Sequence, residues 1–182
     1  MRSVFGEMHF DQIIEWLGID LTKAFAAADY GAGAGFLTLK LAELKKCRIV
    51  YSLDNNEMFI EDTVKIAKKN DILHKIEFID TDLAKDLKMK NDSVDYAFCN
   101  YLLSYNDDNS VFNILNGISK VLNKGGGFYI SEFINLSAVR KFEVPHARTI
   151  EQMIALIERT NSYNIEKKYL KKFTQAYFIR KI

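Results

Sequence analysis

Short apolar runs alternate along this chain with longer stretches of helical period. Phe10 to Leu17 puts Ile13, Ile14 and Leu17 on one face and predicts an amphipathic opening helix. Strands are expected near Ala24 to Tyr30, Arg48 to Leu53, Lys75 to Ile79, Val94 to Cys99 and Gly127 to Phe133. Between them the period predicts helices near Phe36 to Lys46, Glu57 to Asn70 and Asp108 to Leu122. Such alternation implies right-handed βαβ units, and so a parallel sheet with helices on both faces. The first strand rests on context, because Lys-Ala-Phe-Ala-Ala-Ala lacks β-branched residues and has the composition of a helix. It runs, however, straight into a glycine-rich loop. The last third changes character: a helix near Thr149 to Thr160 precedes two strand-like stretches, Tyr163 to Phe173 and Gln175 to Lys181. These lie too close together for a crossover and predict an antiparallel hairpin.

Composition narrows the class. A chain of 182 residues suits one domain, and 48% hydrophobic and 27% charged residues, with nine glycines and one proline, describe a globular protein. A net charge of +1 provides no global field toward nucleic acid or an anionic membrane. The first ten residues lack the pattern of a signal peptide, and no apolar stretch approaches the ~20 residues of a membrane span, so a cytoplasmic protein is expected. Cys47 and Cys99 fall in a helix end and a buried strand with no Cys/His cluster beside them, so neither a disulfide nor a metal site is indicated.

The candidate chemistry begins at Asp29-Tyr-Gly-Ala-Gly-Ala-Gly35. A loop leaving a strand for a helix exposes amides, and Gly31, Gly33 and Gly35, with Ala32 between, let a ligand approach the backbone closely. Nineteen residues beyond Gly35, Asp54 ends the next strand, where a carboxylate accepts from both hydroxyls of a ribose. The alternative for Asp54 is a cap for the helix starting near Asn56. After the third strand, Asp82 suits an exocyclic adenine amine while the amide of Leu83 meets a ring nitrogen; Asp80 is its rival, and the alternative for either is an exposed loop acid.

These residues resemble the class I S-adenosylmethionine-dependent methyltransferases, the small methyltransferase type 11 group most of all. The resemblance runs from about Ala27 to Phe133 and includes Asp95 to Asn100 at the fourth strand and the Gly125-Gly126 turn before the fifth. It implies an α/β, Rossmann-like, seven-stranded, mostly parallel sheet with an antiparallel final strand. With no linker or repeat, a single domain over residues 1–182 is expected, with an N-terminal helix or lid (1–20), a cofactor-binding half (21–135) and a substrate-side helix and hairpin (136–182). The implied cofactor is S-adenosylmethionine, with S-adenosylhomocysteine as product. Asp29 and the loop at Gly31 and Gly33 would hold its methionine end, and Asn100, Tyr101 and Leu102 would flank the methyl group. Three places depart from the family pattern: Asn55 replaces an apolar residue, Lys124 a proline, and Asn161 to Asn164 a small-Gly-Phe motif.

Methyl transfer from a sulfonium needs positioning and water exclusion more than a base. The candidates for a base are His146, in the loop after the fifth strand, then His9; each has an ordinary surface histidine as its alternative. The aromatic cluster that includes Tyr101 and Tyr105 reads mainly as core by its spacing, with these two as candidates to line an acceptor pocket. The Asn100-Tyr-Leu-Leu103 segment lacks the signatures of base-modifying enzymes, and no recognition domain is appended, so a small-molecule acceptor is expected. Alternatives are an RNA or protein methyltransferase, a non-catalytic cofactor-binding subunit, or a nicotinamide-dependent oxidoreductase. A basic stripe in the hairpin, Lys167, Lys168, Lys171, Lys172, Arg180 and Lys181, is read first as a solvated, edge-protecting face, with RNA binding as its alternative.

Overall fold

Seven strands form one sheet in the order β3-β2-β1-β4-β5-β7-β6. The computed structural model describes residues 10–85, 87–134, 144–171 and 174–182. The strands are β1 (Phe25–Tyr30), β2 (Cys47–Leu53), β3 (Ile76–Ile79), β4 (Val94–Asn100), β5 (Leu122–Phe133), β6 (Tyr163–Lys171) and β7 (Thr174–Lys181). The β1–β2, β2–β3, β1–β4 and β4–β5 pairs are parallel, while β7 runs antiparallel to both β5 and β6. The expected hairpin is therefore present, with β7 inserted between its hairpin partner and the parallel part of the sheet.

The helices are α1 (Phe10–Leu17), α2 (Phe36–Glu43), α3 (Glu57–Lys69), α4 (Asp108–Val121) and α5 (Ile150–Arg159). Strand side chains alternate between two cores, as the pleat requires. Ala27, Phe98, Tyr129 and Phe178 pack with α1 and α2 on one face. Ala28, Ala97, Cys99, Phe128, Ile130, Tyr177 and Ile179 pack with α4 and α5 on the other. Asn56 caps α3 by accepting from the Met58 and Phe59 amides, and Thr149 with Gln152 forms a capping box on α5.

All six residues of β1 are buried. Small alanines fit a central strand that is covered on both faces, so tertiary packing overrides their helical preference. Helix α2 stops at Glu43, three residues before the expected end at Lys46. Leu44 is already extended (ψ 127°), and the Lys75 ammonium donates to the Ala42 and Leu44 carbonyls at 3.1 and 3.0 Å. Strand β5 begins five residues earlier than expected, directly after α4. At the amino-terminal edge of the sheet, Asp95 accepts from the Ala26 amide at 2.8 Å and the Asn123 side chain at 2.7 Å, joining β1, β4 and β5. Its motif position thus has a structural use far from the carboxyl ends of the strands.

Half of the basic stripe is engaged within the fold. Lys167 donates to the Trp16 carbonyl, Arg180 pairs with Glu166 at 3.1 Å, and Lys181 pairs with Asp92 at 2.8 Å. Among the described residues no helix is long and apolar enough to cross a membrane.

Candidate active site

The carboxyl ends of β1, β2, β3 and β4 surround an opening of about 160 Å³. Of the residues singled out from sequence, Gly31, Asp54, Asn55, Asp82 and Leu83 line it, joined by Thr81, Ala84, Leu102, Asn106 and Ile114. Asp80, the rival of Asp82, is not in this lining. A pocket enclosing a drug-sized ligand has roughly 300 Å³ or more. The opening therefore accommodates one portion of a nucleoside cofactor, with the rest lying along the glycine loop.

The loop is built by shape rather than by spare donors. Gly31 and Ala32 donate to the Leu53 carbonyl at 2.9 and 3.1 Å, and Gly35 donates to the Ala32 carbonyl at 3.0 Å. The Gly33 amide donates to Asp54 Oδ2 at 2.7 Å. The expectation of exposed amides is thus corrected: Gly31, Ala32 and Gly33 donate to Leu53 and Asp54 at the end of β2, and Gly35 donates within the loop, because the chain turns back over that strand end. Gly31 and Gly35 are required on two counts. Both have left-handed backbone, φ +70° and +68°. A Cβ on Gly31 would meet Leu102 at 3.0 Å, and one on Gly35 would meet Thr63 at 2.2 Å. Gly33 faces open space.

Asp54 accepts from Gly33 through one oxygen and from the Asn56 amide, at 2.9 Å, through the other. This fixes the carboxylate while leaving lone pairs on both oxygens, each of which accepts more than one donor. The capping alternative for Asp54 falls to Asn56, whose own side chain caps α3. Asn55 is exposed at the rim. Asp82 accepts from the Ala84 amide at 3.1 Å and pairs with Lys85 at 2.8 Å; the Lys85 contact, with the Ala84 amide, lowers its pKa.

Asp29 lies beneath the loop, 2% exposed. Its carboxylate accepts the Thr38 hydroxyl at 2.8 Å, and burial, opposed by that hydrogen bond, raises its pKa to about 6. Asn100 ends β4 opposite Ser131 of β5. Tyr101 follows in left-handed backbone, φ +55°, its amide donating to the Ser131 carbonyl at 2.8 Å and its ring 4.5 Å from that of Phe133. Such a conformation in a bulky residue persists only where its surroundings hold it. Tyr105 is 54% exposed.

His146 is not brought into the lining of the opening. It sits in an exposed turn near Asp107, with its amide donating to the Ser104 carbonyl at 3.0 Å. His9 lies outside the described residues. Sequence reading missed Glu132, Ser104 and Arg148, which are brought together at the turn that follows β4. A charged residue inside the apolar run Gly-Phe-Tyr-Ile-Ser-Glu-Phe133 was a usable signal, since a glutamate is rarely buried without a partner.

The residues fit S-adenosylmethionine: a fixed carboxylate for a ribose, a second acid at the third strand, and a glycine cradle whose closest approach a Cβ would fill. Comparison with known proteins agrees. A family described as "Methyltransferase domain" matches residues 21–176. The chain is 31% identical over 144 residues to phosphoethanolamine N-methyltransferase 1 of Triticum aestivum, covering 76% of this chain and 28% of that protein. It thus spans little more than a quarter of that relative's length. Among solved structures, a SAM-dependent methyltransferase from Methanosarcina mazei superposes with a TM-score of 0.79 at 19% identity, covering 93% of this chain and 97% of that one. Another from Aquifex aeolicus gives 0.76 at 14% identity, covering 94% and 89%. Fold, sequence family and the residues around the opening converge, and the chain belongs to the class I S-adenosylmethionine-dependent methyltransferases.

Proposed function

We propose that this enzyme methylates a small-molecule acceptor, with the cofactor's adenosine seated in the opening at the ends of β1 to β4. The observation that carries the site assignment is the meeting of Gly31, Asp54, Asn55, Asp82 and Leu83 around one opening. In this reading Asp54 receives the ribose hydroxyls, Asp82 and Leu83 face the adenine, and Asp29 with the Gly31–Gly33 loop bounds the methionine end. Bound there, S-adenosylmethionine supplies a methyl carbon activated by its sulfonium. The chain's own part is to orient and to exclude water: Leu102 closes on Gly31, and Asn100 and Tyr101 flank the acceptor side. The likeness to an enzyme named for phosphoethanolamine favours a small acceptor. The engagement of Lys167, Arg180 and Lys181 within the fold weighs against an RNA partner.

Purified protein incubated with methyl-labelled S-adenosylmethionine and cell extract should label a low-mass fraction. Label confined to RNA or protein would overturn the small-molecule reading. Calorimetry should show S-adenosylhomocysteine binding and no binding of NAD; the reverse would overturn the cofactor-site assignment.

A further inference from the structure

Two buried charges grip the turn that follows β4 from opposite sides. After Tyr101 and Leu102, residues Leu103–Tyr105 form a single 3₁₀ turn. The Glu132 carboxylate, 1% exposed near the end of β5, accepts the Leu103 amide at 2.8 Å on Oε1. Its Oε2 accepts the Ser104 amide at 3.0 Å and the Ser104 hydroxyl at 2.5 Å. On the other side the Arg148 guanidinium, 5% exposed, donates to the carbonyls of Leu103 at 2.8 Å, Asn106 at 2.7 Å and His146 at 3.0 Å. It also pairs with Asp108 at 2.8 Å. The amides of the turn thus face an anion and its carbonyls a cation.

Buried charges are poor stabilisers, because desolvation offsets their attraction and a neutral replacement of similar shape is often as stable or more so. Their effect here is geometric. Leu102 sits against the backbone of Gly31, and the Asn106 side chain donates to the Leu102 carbonyl at 2.9 Å. Leu102 and Asn106 both line the opening.

We propose that Glu132 is a positioning residue for methyl transfer, holding the Leu102–Asn106 turn so that Leu102 closes against the glycine loop, with Arg148 as its counterpart on the carbonyl side. The proposal rests on the assignment of the opening to the cofactor. Ionised, Glu132 accepts all three donors; protonated, it would turn an O–H toward a site where a donor needs an acceptor. Burial raises its pKa to about 7, opposed by the Ser104 and Leu103 hydrogen bonds and by the charge of Arg148. The other titratable groups facing it are the Cys99 thiol of β4, itself pushed up by burial, and beyond that Asp29 of β1. The clamp therefore loosens as pH falls below about 7.

The test is S-adenosylhomocysteine binding by calorimetry at about pH 8.5 and about pH 5.5, for wild type, Glu132→Gln and Ser104→Ala, with thermal unfolding alongside. At the higher pH Glu132→Gln should bind about tenfold more weakly, and Ser104→Ala by a smaller factor, while Glu132→Gln unfolds no earlier than wild type. At the lower pH the affinities of wild type and Glu132→Gln should converge. Equal affinity at both pH values, or affinity and stability lost together at both, would overturn the positioning role. Should Glu132→Gln fail to fold, unchanged affinity in Ser104→Ala at the higher pH would do the same. Wild type that binds no S-adenosylhomocysteine would instead overturn the cofactor assignment beneath it.

Discussion

Replacing Gly35 with alanine isolates the packing role of the loop from its ligand role. The backbone at Gly35 has φ +68°, which costs a residue with a Cβ roughly 1–2 kcal/mol. The new methyl carbon would lie 2.2 Å from Thr63 Oγ1, 2.3 Å from its Cγ2 and 2.8 Å from its Cβ. Ordinary contact between such atoms begins near ~3.5 Å. Thr63 has little freedom to yield: it is buried, β-branched in a helix, and donates its hydroxyl to the Phe59 carbonyl at 2.8 Å. Helix α3 must therefore back away from α2, an overpacking cost of roughly 1–3 kcal/mol. The total, roughly 2–5 kcal/mol, corresponds to a fall in Tm of roughly 4–20 °C for a domain of this size. Urea unfolding followed by circular dichroism measures it. Adding Thr63→Gly removes all three colliding atoms and should show a favourable coupling of about 1–3 kcal/mol in a double-mutant cycle. A loss below about 1 kcal/mol for Gly35→Ala, or strict additivity of the pair, would refute the reasoning. Gly33→Ala makes the contrast: with nothing within 4 Å of its Cβ it should lose only the backbone share, yet weaken S-adenosylhomocysteine binding.

Asp54→Ala should weaken S-adenosylhomocysteine about tenfold to hundredfold by calorimetry, since both the ribose acceptor and the anchor of Gly33 are lost. Asp95→Ala, at the opposite edge of the sheet, should lower stability by about 1–3 kcal/mol in urea unfolding while leaving that affinity unchanged. Asp29 has a folded pKa raised from 3.8 to about 6, so its contribution favours the fold below pH about 4 and is lost as pH rises through about 6. Asp29→Asn should remove this pH dependence, worth on the order of 3 kcal/mol, from stability measured across that range. His146→Ala should reduce labelled transfer less than about threefold; a loss of a hundredfold or more, the scale of a working general base, would return the histidine to the chemistry.

Much of the architecture was legible because period and position agree. The apolar runs and the close final pair of strands specify a mostly parallel sheet closed by a hairpin, and acids at the ends of β2 and β3 reach the opening because strand ends converge there. What stayed hidden depends on long-range contact. Nothing near Arg148 in sequence marks it as buried; its partners Leu103, Asn106 and Asp108 lie forty or more residues earlier. The early end of α2 is likewise set by Lys75, from another element. His146 is singled out by its place in the loop after the fifth strand, yet its amide donates to Ser104 and the residue lies in an exposed turn.

The place of β7 has a consequence for how the chain is made. Strand β6 reaches the sheet only through β7, which is later in chain order and pairs with β5 at Gly127↔Arg180 and Phe133↔Thr174. During synthesis, the outer side of β5 therefore has no partner until β7 emerges, although Phe128, Tyr129 and Ile130 are already made. An unpaired apolar edge is an invitation to wrong pairing, and contacts so distant in sequence close slowly. Nascent chains stalled before Thr174 should thus be held by chaperones or aggregate, because they lack two strands of the sheet and not one.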